Sequence, residues 1–207
     1  MNLLPSKIVC IGTNYRAHAA EMKKPVPVEP LIFFKPPSAM AAAGEPIARP
    51  RGYARVDFEG ELALVMARRT RRVSAARALD HVLGYSCLND VTVRDLQVKD
   101  GQFARAKGFD GFCPFGPIVR GGLDPSDLRL VTRVNGEVKQ DSRTSDLIFG
   151  VPELIEFISR HMTLEAGDII STGTPSGVGN LTPGDVVEIE IEGIGVLSNP
   201  VTDEDVP

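Results

Sequence analysis

The hydrophobic and polar positions alternate in short blocks, and few blocks keep one period for long. Residues 7–12 (KIVCIG) form an apolar run closed by glycine, the mark of a strand. Residues 15–22 follow as a short helix, with Asn14 placed to cap it. Pro25, Pro27 and Pro30 then enforce an extended connector, since proline neither donates to a helix nor lets its predecessor adopt one. Residues 31–34 are apolar again, and 39–52 read as a loop rich in small residues. Residues 57–66 (DFEGELALVM) pass from alternation to a continuous apolar run, as in a strand buried first on one face and then on both. Ser74 opens a short helix to Leu79, residues 82–88 form a second buried strand ending at Asn89-Asp90, and 92–98 form a helix. Asn135-Gly136 between residues 130–134 and 137–140 is a type I′ hairpin signal. Pro152 sits in the first turn of an amphipathic helix running to Arg160, with Leu154, Ile155 and Ile158 on one face. Gly167-Asp168 and Gly184-Asp185 each launch an apolar strand. Many strands and a few short helices, with no βαβ rhythm, predict an α+β fold on a mixed sheet.

Composition sharpens this picture. The 20 Gly and 16 Pro make up about 17% of 207 residues, against ~12% in average usage, which favours turns and short strands over a helical bundle. The length suits one domain over residues 1–207, with the acidic residues 203–207 as a frayed tail. A net charge of −4 and the absence of Trp argue against wholesale binding of nucleic acid. Arg68, Arg69, Arg71 and Arg72 form the one basic cluster, and at that net charge it reads as a solvated turn. No apolar run approaches the ~18 residues that span a bilayer, and residues 1–5 lack a signal peptide's pattern. Three widely spaced cysteines fit neither a disulfide framework nor a zinc knuckle, so a cytoplasmic protein without membrane attachment is expected.

Candidate chemistry concentrates in a few places. In Glu59-Gly60-Glu61, two carboxylates on one face of a strand repel unless something positive sits between them, and a divalent cation is the simplest candidate. A solvated edge strand presents the same pattern. Asp90 closes a buried strand where ligands commonly bind in sheets, although it also suits a helix cap. Three carboxylates without a His or Cys ligand would make a hard oxygen site for Mg²⁺ or Mn²⁺. His18 and Glu21, three apart on a helix, can act as an imidazole with its tautomer fixed by a carboxylate, or stand as a surface pair. Lys107, beside glycine in a turn, can reach an anionic substrate. The glycine-rich 171–179 (STGTPSGVG) offers N–H and hydroxyl donors to a carboxylate, and it lacks the Gly-Lys-Ser/Thr of a nucleotide loop.

Taken in order, these segments resemble a known family. They are Gly12-Thr-Asn-Tyr15 with His18 and Glu21, Phe34-Lys35-Pro36, Asp57-Phe-Glu-Gly-Glu-Leu62 and Asn89-Asp90, then Arg94-Asp-Leu-Gln97, Ala106-Lys107-Gly-Phe-Asp110 and the 171–179 loop. The chain resembles the fumarylacetoacetate hydrolase superfamily from Ile8 to about Val201. Its short acylpyruvase and oxaloacetate decarboxylase branch is favoured, because much of the N-terminal extension of the dienoate isomerase relatives is missing.

The resemblance implies a mixed β-roll, usually a homodimer, with Glu59, Glu61 and Asp90 holding Mg²⁺, or Mn²⁺ in its place. It implies a catalytic dyad of His18 and Glu21 on a lid spanning about residues 13–27, and Lys107 supporting the reaction. Gln97, Thr174, Arg94 and Lys35 would contact a small 2-oxo or dicarboxylic acid. The expected reaction is metal-dependent hydrolysis of the C–C bond of acylpyruvates, decarboxylation of oxaloacetate, or both, through a pyruvate enolate. The alternatives are an isomerase of the 2-hydroxyhepta-2,4-diene-1,7-dioate type and a noncatalytic metabolite-binding protein.

Overall fold

The computed structural model describes residues 4–204. Its strands are, in chain order, β1 (Ile8–Gly12), β2 (Leu31–Lys35), β3 (Met40–Ala41), β4 (Ile47–Arg49), β5 (Val56–Phe58), β6 (Gly60–Met66), β7 (Val82–Asn89) and β8 (Thr92–Val93). They continue as β9 (Cys113–Arg120), β10 (Arg129–Val134), β11 (Glu137–Arg143), β12 (Ile169–Ser171), β13 (Gly179–Asn180), β14 (Val186–Ile191) and β15 (Gly195–Asp203). The helices are α1 (Arg16–Glu21), α2 (Ala75–Ala78), α3 (Arg94–Asp100), α4 (Ala104–Lys107) and α5 (Val151–His161). None of them is long and apolar enough to cross a membrane.

The largest sheet has the order β2-β1-β12-β6-β7-β9-β3. Its β1–β12 and β3–β9 pairs are parallel and the others antiparallel, so the sheet is mixed. Its two outermost strands, β2 and β3, are joined by residues 36–39 alone. Five chain steps reach at most ~18 Å, whereas seven flat strands would spread over ~29 Å. The sheet must therefore curl until its edges approach, which is a β-roll. The concave side buries Ile8, Cys10, Ala63, Val65, Leu88 and Phe115 in one cluster. On the other side, Val9, Ile11, Leu62 and Leu64 pack against α5 and against a second sheet of order β11-β10-β14-β15-β4. A small third sheet, β13-β5-β8, lies over Phe58, Val91, Phe112 and Leu181.

Local signals match well where they are self-contained. Asn135 and Gly136 both adopt positive φ, as a type I′ turn requires. Pro152 lies in the first turn of α5, and Leu154, Ile155 and Ile158 are buried together. Differences arise where pairing with distant strands decides. The single strand expected over 57–66 is interrupted at Glu59, because β5 joins the small sheet and β6 the large one. The helix expected from Thr92 starts at Arg94, since Thr92 and Val93 pair with β5. The loop expected over 39–52 contains β3 and β4, and β9 carries Pro114 and Pro117, which hid it from a periodicity reading. Neither Asn14 nor Ser74 makes a side-chain cap. Asn14 instead spends its amide on Phe149 and Thr172. The expected fraying of the acidic tail does not begin at Asp203, which ends β15, and Glu204 donates its N–H to Arg49 O. Asp205 onwards, like residues 1–3, lies outside the described residues.

Candidate active site

The site forms where β6 begins and its antiparallel neighbours β7 and β12 end. Glu59 stands at the break between β5 and β6. Asn89 Oδ1 accepts its N–H at 3.0 Å, and its carbonyl accepts the Asp90 N–H at 2.9 Å. These two bonds lock Glu59 and Asp90 together across the strand ends. Glu61 follows on β6, and its Oε2 accepts Gly173 N–H at 2.8 Å and the Ser171 hydroxyl at 2.5 Å. The Glu59, Glu61 and Asp90 side chains each present an oxygen within 4.8 Å of the others, and all three are buried. The convergence read from the sequence is thus geometric fact.

Cations surround this triad. Lys107, at the end of α4, donates to Glu59 Oε2 at 2.8 Å, Asp90 Oδ2 at 2.6 Å and Thr92 Oγ1 at 2.7 Å. Lys35, at the end of β2, donates to Asp90 Oδ1 at 2.6 Å and to Val91 O at 3.2 Å. Arg94 donates from Nη2 to Glu59 Oε1, from Nε to Asp57 Oδ2 at 2.8 Å and from Nη1 to Gln97 Oε1 at 2.8 Å. Asp57 is further held by Arg55 through two bonds of 2.8 and 2.9 Å.

Electrostatics divide the carboxylates. Burial alone would raise the Glu59 carboxyl, but Lys107 and Arg94 beside it hold it well below the usual carboxylate range. Burial raises the Glu61 carboxyl, and the charges of Asp90 and Glu59 push it further in the same direction. Burial would lower the Lys107 ammonium, yet Asp90 and Glu59 overcome that and raise it. Glu61 is consequently the carboxyl with neutral donors and no cation bonded to it.

His18 and Glu21 meet on α1. His18 Nδ1 lies 3.0 Å from Glu21 Oε2, and His18 is only 5% exposed. Gly173 and Gly177 of one loop bond Glu61 and Glu21 respectively, so the loop that holds the triad also holds the His18–Glu21 pair. Glu21 Oε1 accepts the Gly177 N–H at 2.9 Å, tying α1 to the glycine-rich loop.

That loop works differently from expectation. Rather than offering its donors to a substrate, it spends Gly173 N–H on Glu61 and Gly177 N–H on Glu21. Its Thr172 and Thr174 hydroxyls donate to Leu62 O and Gly60 O, each at 2.9 Å. Gln97 points at Arg94, and Lys35 at Asp90. All ten residues singled out from the sequence lie in or directly against one cluster. Two contributors escaped the sequence reading. The Arg55-x-Asp57 spacing was a usable signal for Asp57, which steers Arg94. Gln140 read only as the end of a hairpin strand, yet its amide reaches Gly60 and Thr174. The basic cluster is the solvated turn expected, with Arg71 donating to Ser159 O and Arg160 O at the end of α5.

Comparison with known proteins places this geometry. The family model for the fumarylacetoacetate (FAA) hydrolase C-terminal region matches residues 7–202. The MJ1656 protein of Methanocaldococcus jannaschii is 54% identical over 97% of this chain and 85% of its own length. The oxaloacetate tautomerase YisK of Bacillus subtilis is 46% identical over 95% of this chain and 70% of its own. A crystal structure described as 2-hydroxyhepta-2,4-diene-1,7-dioate isomerase from Mycobacterium marinum superposes with a TM-score of 0.92 at 50% identity, covering 99% of this chain and 77% of the other. The chain belongs to the fumarylacetoacetate hydrolase family.

Proposed function

We propose that this protein moves a proton between carbon and oxygen of a small 2-oxo dicarboxylic acid of the oxaloacetate class, interconverting its keto and enol forms at a divalent-cation site. The observation that carries the reading is a buried imidazole, fixed by Glu21 and tied through the 173–177 loop to three converging carboxylates.

The donor set fits a hard divalent cation. It offers carboxylate oxygens alone, with no thiolate or imidazole, and burial together with Asp90 and Glu59 raises Glu61. Glu59, Glu61 and Asp90 would hold the ion. When bound, the ion supplies Lewis-acid polarisation of the 2-oxo group and its carboxylate.

The chain's own residues do the rest. Glu21 accepts from His18 Nδ1, which leaves Nε2 as the basic nitrogen facing the substrate carbon. Nε2 removes the C3 proton of the keto form and delivers it to the 2-oxo oxygen to give the enol, and the reverse transfer restores the keto form. Lys107, kept protonated by Asp90 and Glu59, favours negative charge on the 2-oxo oxygen through its own charge, its three hydrogens being committed to Glu59, Asp90 and Thr92. Arg94 and Gln97 receive the second carboxylate, with Thr174 and Lys35 on the walls.

Hydrolysis of acylpyruvates and decarboxylation of oxaloacetate remain the rival uses of the same site, differing in whether His18 activates a water. Chain length does not choose between them, since proteins with tautomerase and isomerase names match over 95% and 99% of this chain. The test follows enol-oxaloacetate, acetylpyruvate and a 2-hydroxydienoate with Mg²⁺ or Mn²⁺ and with EDTA. Metal-dependent loss of the enol absorbance without pyruvate release is expected. Faster release of pyruvate from either substrate would replace the reading with its rivals, and no turnover of any of the three would overturn it.

A further inference from the structure

Strand β11 runs along the edge of the second sheet, and its side chains lie largely in solvent. Gln140 is the exception, at 1% exposure. The cause is in the register. Thr132 pairs with Gln140 and Arg133 with Val138, so Lys139 is an extra residue on β11. Gln140 stands opposite Thr132, itself fully buried, so the two share the inward face, and the bulge lies immediately beside that pair.

The buried amide then spends both of its donors and an acceptor. Gln140 Oε1 accepts the Gly60 N–H at 3.0 Å. Its Nε2 donates to Thr174 Oγ1 at 2.8 Å and to Pro175 O at 2.9 Å. Gly60 is the peptide between Glu59 and Glu61, so one end of the amide grips the acidic strand and the other grips the loop. The bulge makes a second contact. A Cβ on Gly177 would sit 2.0 Å from Lys139 O, so the loop packs directly against the bulged backbone. The N–H of that same Gly177 donates to Glu21 Oε1.

These links form one chain of contacts, from Gly60 through Gln140 to residues 174–177 and on to Glu21 and His18. We propose that Gln140 is a positioning residue that sets the His18–Glu21 pair in register with the Glu59–Glu61 pair, without touching the substrate itself. The inference rests on the proton-transfer reading for its kinetic arm. An amide suits the task because it is uncharged, so it adds nothing to the field between the acids, and its planar head fixes two directions at once.

The test compares Gln140→Met, which keeps the length and removes the amide, with Gln140→Glu, which keeps the acceptor for Gly60 and removes both donors. Misplacement by about 1 Å costs up to ~10²-fold in rate, so kcat for enol-oxaloacetate should fall about 10- to 100-fold in Gln140→Met with KM nearly unchanged. Mn²⁺ affinity measured by calorimetry should stay close to that of the parent, because all three carboxylates remain. Trypsin cleavage after Lys23, well below the melting temperature, should accelerate as Glu21 loses its anchored partner. Gln140→Glu should shift kcat and cleavage in the same direction, and it carries the test if Gln140→Met does not fold. Unchanged kcat and unchanged cleavage would overturn the proposal. So would loss of activity that only follows lost Mn²⁺ affinity. If the parent protein turns over no 2-oxo acid, the functional reading fails, while the cleavage and Mn²⁺ measurements still decide the role of Gln140.

Discussion

Lys107 Nζ lies 2.6 Å from Asp90 Oδ2, with both side chains buried. The other two ammonium donors go to Glu59 and Thr92, so Lys107 has no hydrogen left to give. Its charge, with those of Lys35 on Asp90 and Arg94 on Glu59, makes two adjacent carboxylates tolerable in the interior. Removing one partner of a buried ion pair costs about 3–5 kcal/mol, since it strands the other. In EDTA, Lys107→Met should therefore melt well below the parent. A divalent cation supplies the missing charge, and stabilisation by a ligand follows its preference for the folded state. Mn²⁺ should raise the melting temperature of Lys107→Met more than that of the parent. Equal shifts in thermal melts would argue against a cation among these carboxylates.

His18→Ala separates binding from chemistry. Glu59, Glu61 and Asp90 keep their own partners without the imidazole, so calorimetry should show Mn²⁺ and oxalate bound nearly as before. A positioned general base is worth roughly 10²–10⁴-fold, and tautomerisation should fall by that factor. Parental turnover in His18→Ala would place the base elsewhere.

Much of the site was legible because its signals are local. Glu59 and Glu61 stand two apart, and Asp90 ends an apolar run. His18 and Glu21 stand three apart on a helix. Spacing alone puts each set on one face. The turn at Asn135-Gly136 and the start of α5 were legible for the same reason, as backbone chemistry within four residues. What stayed hidden depends on pairing between distant strands. Nothing near Glu59 announces that the strand breaks there, since the break comes from β5 joining β8 and β13. The loop donors seemed available to substrate until the fold brought Glu61 and Glu21 against them. Gln140 faces inward because it stands opposite the buried Thr132, a pairing with β10 that the pattern along β11 alone does not reveal.

Asp168 gives a pH prediction. Its Oδ1 accepts Ser6 N–H at 2.9 Å, Ser6 Oγ–H at 2.7 Å and Lys7 N–H at 3.2 Å, and its Oδ2 accepts Glu165 N–H at 2.7 Å. Burial alone would raise this carboxyl, but the bonds from Lys7, Glu165 and Ser6 hold it below the ordinary value of 3.8. A carboxyl lowered in the folded state contributes stability above its unfolded pKa and loses it as pH falls through its folded pKa. Asp168→Asn should therefore be less stable than the parent at pH 7, by about 1–3 kcal/mol for charged hydrogen bonds. The gap should narrow as pH falls below 3.8, the ordinary carboxyl value. Urea unfolding of both proteins across that range checks it, and a gap that is constant with pH would sink the assignment.

Gly60 fills a position where no side chain fits. An added Cβ would lie 2.1 Å from Thr132 Oγ1 and 3.0 Å from Gln140 Oε1. Its φ is not in the left-handed region, so the obstacle is space rather than backbone strain. The Thr132 hydroxyl is buried and without a hydrogen-bond partner, so no hydrogen bond is lost if it is removed. Overpacking of this kind costs about 1–3 kcal/mol, and Gly60→Ala should be destabilised by that amount. Thr132→Ala alone should change stability little. Combined with Gly60→Ala it opens the space the new methyl needs, so the double variant should recover most of the loss, with a coupling of about 0.5–3 kcal/mol as for residues in direct contact. Mn²⁺ affinity should follow the same order, since Gly60 joins two of the three carboxylates. Strictly additive unfolding energies would mean that the clash is relieved by backbone movement, and Mn²⁺ binding would then stay weak in the double variant.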